Sequence, residues 1–231
     1  MTQDVSELLK NNYFIAFYAI AFIFSIIRYR RYFDSNLKYF PIIIAYTLIS
    51  ESLGFIIHEY DEIQIVYVDG YSYYNQLIFN IFYTIFFLYF YYVFLNTLTN
   101  SRFLKWVKYG TIIFIIGCAI NPLFRDALLY PQMLARSIGS FLLIICVLLY
   151  FIELKSKGII LDYRNLLSWI SVGLFAFYTF YPFILIIGYF KYELYQKLHA
   201  RTIHHLLIAV MYSCFILGFL LMRRIQPSED I

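Results

Sequence analysis

The chain has 231 residues, of which 62% are hydrophobic and 14% charged, and its formal net charge is +4. Ordinary soluble domains contain about 45–50% apolar and about 25% charged residues, so a soluble fold of this size could not bury so much apolar surface. The basic residues form short clusters between apolar runs. That pattern excludes a nucleic-acid interface and is typical of a chain oriented in a lipid bilayer.

Seven apolar runs follow one another along the chain, with short connections between most of them. A membrane-spanning helix needs about 20 apolar residues, with a range of about 17–25. The runs are apolar on all sides, whereas barrel strands alternate in polarity. We therefore predict an all-α, polytopic membrane protein whose residues 1–231 form one bundle of seven transmembrane helices. The predicted spans are approximately 13–29, 39–58, 75–98, 104–120, 133–153, 166–190 and 203–222.

The N-terminal residues do not match a secretory signal peptide. They include Asp4 and Glu7 in place of a basic segment, and no small-residue cleavage site follows the first apolar run. We expect the first run to remain as a span. The three cysteines lie inside apolar runs without metal-type spacing, which predicts buried free thiols. They are Cys118, Cys146 and Cys214.

Lysine and arginine predict the orientation, because short cytoplasmic loops carry an excess of both. Twelve of the 18 basic residues follow the first, third, fifth and seventh spans, beginning with Arg28 and ending with Arg224. The other six lie on the opposite side, together with most of the acidic residues. The alternation predicts an outer N-terminus and a cytoplasmic C-terminus.

Glu51 is the only ionisable residue predicted to lie deep within a span. A charge at that depth costs about 2.5–3.5 kcal/mol on insertion scales, so such a residue is a candidate for ligand or proton binding. Thr47, Gly54 and His58 fall on the same face of this helix. A hydrogen-bonded structural role for Glu51 is the alternative.

All four histidines are predicted to lie near the outer surface, close to Glu51. Imidazole and carboxylate groups suit Zn²⁺, and histidine titrates near physiological pH. His58, His204 and His205 with Glu51 are therefore candidate ligands of a zinc ion, and the same groups could respond to protons. Histidines at helix ends also occur in the headgroup region without binding a metal.

Polar residues on the third and sixth spans suggest a pocket within the bundle. Asn80, Tyr83 and Thr84 share one face of the third span, and the sixth span carries Tyr178. These side chains could bind a ligand. They could equally join helices through hydrogen bonds of about 0.6 kcal/mol each.

Three short motifs occur in the same order as in a group of small bacterial proteins. They are Ser50-Glu51-Ser52-Leu53-Gly54, Tyr74-Asn75 with Asn80-Ile81-Phe82, and Trp169-Ile170-Ser171-Val172-Gly173-Leu174. The chain resembles small uncharacterised seven-helix membrane proteins of Bacteroidetes, which are similar to the membrane-sensing regions of bacterial histidine kinases. The resemblance implies a sensory or partner-regulating role, with any signal passing to a separate protein through the basic inner loops.

Serine and histidine positions also loosely resemble those of ceramidase- and adiponectin-receptor-type transmembrane hydrolases. Ser50 and Ser52 with His58 fall on the second span, and His199 with His204 lie near the seventh. The two latter histidines are five residues apart rather than four, and the third span has no Asp. The resemblance implies a membrane-embedded, metal-dependent lipid hydrolase as an enzymatic alternative.

The sequence therefore leaves several functions open. The leading hypothesis is a non-enzymatic signalling subunit that recognises a ligand, ion or proton from the outer side. A small transporter or channel using Glu51, the lipid hydrolase and a membrane effector of a defence system are the alternatives. The predicted partners are the lipid bilayer, a protein bound through the basic loops, and a second copy of the chain.

Overall fold

A computed structural model describes residues 13–59, 76–159 and 162–223, except for the side chains of His58 and Glu59. These residues form helices and connecting turns, without a β-strand. The helices are α1 (Tyr13–Ile27), α2 (Phe40–Glu59), α3 (Gln76–Thr97), α4 (Ser101–Phe124), α5 (Met133–Ser156), α6 (Leu166–Phe190), the short α7 (Tyr192–Lys197) and α8 (Ala200–Leu221).

Six of these helices are long and apolar enough to cross a membrane: α2, α3, α4, α5, α6 and α8. The all-helical, multi-pass prediction is confirmed at that level. Helix α1 is also apolar but has 15 residues in the described part of the chain. It is therefore about 22 Å long, shorter than a hydrocarbon core of about 30 Å, and the count of seven spans stays a prediction.

The helix boundaries follow local chemistry. Asn100 caps α4 by accepting a hydrogen bond from the backbone N–H of Arg102 at 2.9 Å, and Asn165 caps α6 in the same way through Leu167 at 2.9 Å. Helix α4 begins three residues before the predicted span and continues through Pro122 to Phe124. The predicted span is shorter than the helix because polar residues at both helix ends lower the local hydropathy.

Six helices form a ring in the order α1, α2, α3, α5, α6 and α8, and α8 closes it by packing against α1. Helix α4 lies outside the ring against α3 and α5, and it has the smallest buried share of the six candidate spans. Its outward face consists of exposed apolar side chains such as Ile112, Ile113 and Ile116. In a bilayer this face contacts lipid.

The two ends of the bundle differ in chemistry. At the histidine end, α2 finishes, α3 and α5 begin, and α8 starts with His204 and His205 close to its first turn. At the basic end, the helix termini and connections carry Arg30, Arg102 and Lys155. This division matches the predicted alternation of loops, and the cytoplasmic location of the basic end stays a prediction.

Aromatic rings fill the centre of the ring of helices. Phe87 of α3 packs against Phe114 of α4 at 5.5 Å and Tyr178 of α6 at 5.3 Å between ring centroids. Phe40 of α2 lies 5.4 Å from Phe215 of α8. Ring pairs of this kind stabilise by about 0.5–1.5 kcal/mol beyond the burial of their area. They join α3 to α4 and α6, and α2 to α8.

Glu153 joins two helices at the basic end. Its carboxylate accepts hydrogen bonds from the Thr99 hydroxyl at 2.7 Å, from the backbone N–H groups of Thr99 and Asn100, and from Lys157 Nζ at 2.8 Å. The acidic side chain near the end of α5 therefore holds the turn between α3 and α4.

Gly173 allows α6 and α8 to approach closely. A Cβ atom at this position would lie 2.8 Å from the backbone oxygen of Met211. We expect Gly173→Ala to lower the free energy of unfolding by about 1–3 kcal/mol, the usual cost of overpacking, measured by thermal unfolding in detergent. Gly117→Ala is the control, because its Cβ would meet the mobile Cδ1 of Ile138 at 3.1 Å. An equal loss in both variants would contradict the close approach.

Candidate functional site

A cavity of about 520 Å³ lies at the histidine end, between α2, α3, α5, α6 and α8. Its size is that of an ordinary small-molecule site, which spans about 300–1,000 Å³. Most of the wall is apolar or aromatic. Apart from tyrosines, four polar or ionisable side chains of the spanning helices line it: Glu51, Gln76, Arg136 and His204.

Arg136 is buried beside this cavity, with a fractional exposure of 6%. Its Nη2 donates to Oδ1 of Asn80 at 2.7 Å and to Oε1 of Gln76 at 3.4 Å. The guanidinium carbon lies 4.5 Å from the centroid of the Tyr83 ring, a cation–π contact. Its Nε is shielded from solvent and has no hydrogen-bond partner among the described residues. The guanidinium is thus held in place but incompletely satisfied.

Asn80 positions Arg136 and the connection between α4 and α5. Its amide nitrogen donates to the carbonyl oxygens of Ala127 at 2.7 Å and Tyr130 at 2.9 Å. Its Oδ1 accepts from Arg136 and from the backbone N–H of Gln132 at 3.1 Å. Both amide protons and both lone pairs are therefore in use. Asn80 lies beside the cavity as a positioning residue.

Glu51 lies about two turns from the end of α2 and lines two spaces. One is the main cavity, and the other is a smaller pocket of about 30 Å³ that also contacts Thr47, Tyr178 and Tyr212. Among the described residues, the only ion pair is Lys157–Glu153. No basic side chain of those residues therefore lies within 4 Å of the Glu51 carboxylate. Glu51 and Arg136 thus share one cavity without forming a salt bridge.

The other predicted polar residues lie around these two charges. Thr47 donates to the carbonyl of Ile43 at 2.9 Å. The Tyr83 ring stacks on Tyr181 at 5.6 Å. Tyr178 is buried, and its ring lies 5.8 Å from that of Phe86. The structure therefore brings Glu51, Thr47, Asn80, Tyr83 and Tyr178 into one region.

His204 and His205 face different neighbours. The His204 ring lies 5.6 Å from Tyr181, lines the cavity, and its Nε2 has no partner within the described chain. The His205 ring lies 4.4 Å from Phe14 of α1. In the described residues no three His, Cys, Asp or Glu side chains are grouped as a metal site requires. The side chain of His58 lies outside the described residues, so its role as a ligand stays a prediction.

Tyr195 extends the aromatic wall where the chain leaves the bundle in α7. It lines the cavity. Desolvation raises the pKa of its hydroxyl, and the positive charge of Arg201 opposes the shift. The hydroxyl is therefore neutral at physiological pH and can donate or accept one hydrogen bond at the mouth of the site.

Arg136 is the site residue that the sequence did not identify. It lies within the predicted fifth span, only one turn from its end. The orientation prediction therefore groups it with the six basic residues of the outer side. Hydropathy shows depth along a helix and not the direction of a side chain. The signal that could have found it was its helical spacing, because Arg136, Gly139 and Leu143 share a face.

Comparisons of the chain with known protein families, curated proteins and solved structures found no match. The site must therefore be interpreted from its own chemistry. It combines a buried cation with an unpartnered donor, a separate carboxylate and aromatic walls.

We expect Asn80→Ala and Arg136→Met to separate structural from functional roles. Asn80→Ala removes the hydrogen bonds that the Asn80 amide makes with Ala127, Tyr130, Gln132 and Arg136, which should lower the free energy of unfolding by about 1–3 kcal/mol. Arg136→Met should change it by less than about 1 kcal/mol, because replacing a buried charge with a side chain of similar volume is often neutral. Thermal unfolding in detergent measures both.

Asn96→Ala is the matched control. The Asn96 side chain is exposed and donates only to the carbonyl of Tyr92 at 2.8 Å. If Arg136→Met destabilises the protein more than Asn80→Ala does, Arg136 is a structural residue.

Proposed function

We propose that this chain is a seven-span membrane sensor that binds a small ligand at its histidine end and regulates a partner protein at its basic end. The observation that carries the proposal is the 520 Å³ cavity with buried Arg136 and Glu51 in its wall. Unpaired charges within membrane helices are costly and usually serve a binding or transport function. The cavity would face the exterior of a bacterial inner membrane.

The cavity wall favours binding over covalent catalysis. Among the described residues that line it there is no Ser, Thr, Cys or Lys to act as a nucleophile. Its histidine, His204, packs between Tyr181 and Phe177, with ring centroids 5.6 Å from each. Rigid aromatic walls around few polar groups are typical of a recognition site.

The aromatic core favours a receptor over an open pore. On the side of the small pocket that faces the basic end, Phe40, Phe90 and Phe215 have no exposed surface. A ligand in the cavity would therefore act by changing the packing of helices. The exposed basic residues Arg102, Lys105 and Lys108 are at the opposite end of the bundle and would contact a partner protein.

The test is the recovery of small molecules from protein purified out of native membranes. We expect a molecule that is retained by the unmodified chain and reduced at least about tenfold in Arg136→Gln and in Glu51→Gln, because each variant loses a charge-assisted contact. Lys197→Gln is the control, since this lysine is exposed at the same end and does not line the cavity. Identical molecules in all four samples would contradict ligand binding.

The proposed orientation has its own test. In a chain whose native cysteines are replaced by alanine, we expect Glu193→Cys to react with a membrane-impermeant maleimide on intact cells and Lys105→Cys to react only after lysis. Both positions are exposed, in α7 and near the start of α4 respectively. The opposite result would invert the orientation, and labelling of both on intact cells would contradict the span count.

A small transporter is the second candidate, and Pro182 favours it. A proline at this position cannot donate to the carbonyl of Tyr178 and tends to bend α6 beside the pocket that Glu51 lines. Proton or ion flux into liposomes that falls in Glu51→Gln but not in Glu193→Gln would support transport. Flux no greater than that of empty liposomes would contradict transport and leave the sensor as the proposed function.

A further inference from the structure

We propose that the cavity takes a small zwitterion, with its acid group at Arg136 and its ammonium group at Glu51. The inference rests on the proposed function and specifies its ligand. The wall holds one guanidinium and one carboxyl group, and these form no ion pair within 4 Å. A ligand with both charges would neutralise both residues at once.

The Arg136 guanidinium is prepared to bind an acid. Asn80 and Gln76 occupy its Nη2, Tyr83 covers one face, and Nε remains without an acceptor. Arginine binds carboxylate and phosphate groups through adjacent N–H donors in its plane. An acid group in the cavity would supply the acceptor that Nε lacks among the described residues.

Glu51 and the surrounding rings are suited to an ammonium group. The carboxylate provides the opposite charge, and Tyr83 and Tyr181 provide aromatic surfaces in the same cavity wall. A ligand with only an acid group would face repulsion from Glu51. A ligand with only an ammonium group would face repulsion from Arg136.

The remaining wall would hold an apolar body. Phe79, Ile184 and Leu185 also line the cavity. Two sources share this chemistry: a free amino acid with an apolar side chain, and the headgroup of a phospholipid that carries phosphate and ammonium. The experiment therefore has a soluble arm and a lipid arm.

In the soluble arm, calorimetry on the full chain in detergent compares phenylalanine with 3-phenylpropanoate and 2-phenylethylamine, which each lack one charge. We expect phenylalanine to bind at least about tenfold more tightly than either. Arg136→Gln should remove the advantage over the amine, and Glu51→Gln the advantage over the acid. Lys197→Gln and Glu193→Gln should leave both ratios unchanged, because both residues are exposed and neither lines the cavity.

In the lipid arm, native mass spectrometry measures retention of phosphatidylethanolamine and phosphatidylglycerol with identical acyl chains. We expect preferential retention of the ethanolamine lipid if the headgroup is the ligand, and loss of that preference in both cavity variants. Arg136→Met replaces Arg136→Gln if the latter does not fold.

A zwitterion preference in either arm that depends on both residues supports the inference. Equal binding of zwitterion and acid, or no zwitterion binding in both arms, overturns it. The proposed function fails separately, when no molecule of any charge is recovered from native membranes in an Arg136-dependent manner.

Discussion

The Asn80 side chain is the interaction on which the candidate site depends. A membrane helix has no water to satisfy a misplaced polar group, so a buried amide must find all its partners within the protein. Asn80 does so by joining α3 to the connection between α4 and α5 and to Arg136. The same contacts close the helix junction and hold a cation at the cavity wall. Stability and binding chemistry are thus coupled in one residue.

Packing in the rest of the bundle relies on aromatic rings more than on small residues. In lipid, helices gain little from the hydrophobic effect and associate through van der Waals contact and hydrogen bonds. Here Phe87, Tyr178 and Phe215 provide broad contact surfaces across the ring of helices. Glycine allows close approach where α6 meets α8, at Gly173 and at Gly218. The centre is consequently dense, and the open space is concentrated at the histidine end.

The two charged residues that the sequence analysis did not single out have different roles. Glu153 is fully paired at the basic end, where it accepts hydrogen bonds from three donors of one turn and from one lysine. Arg136 is near the opposite end of the same helix, is equally buried, and lacks a carboxylate within 4 Å in the described chain. The contrast separates a structural charge from a binding candidate. It depends on the partners of each side chain, which composition does not reveal.

Much of the architecture was determined by the sequence itself. Long apolar runs must become helices in a bilayer, because only internal hydrogen bonds satisfy the backbone there. The chain reverses direction after each of these helices, so the basic clusters at alternate connections meet at one end of the bundle. The importance of Glu51 could also be predicted, since its depth alone makes it costly. Tertiary structure decided the rest. It placed the His204 ring against Tyr181 and the His205 ring against Phe14, and it used the hydrogen-bonding capacity of Asn80 within the protein. It also placed Arg136 in the wall of the cavity that Glu51 lines, because the angle at which each helix enters the ring selects the face that meets the cavity.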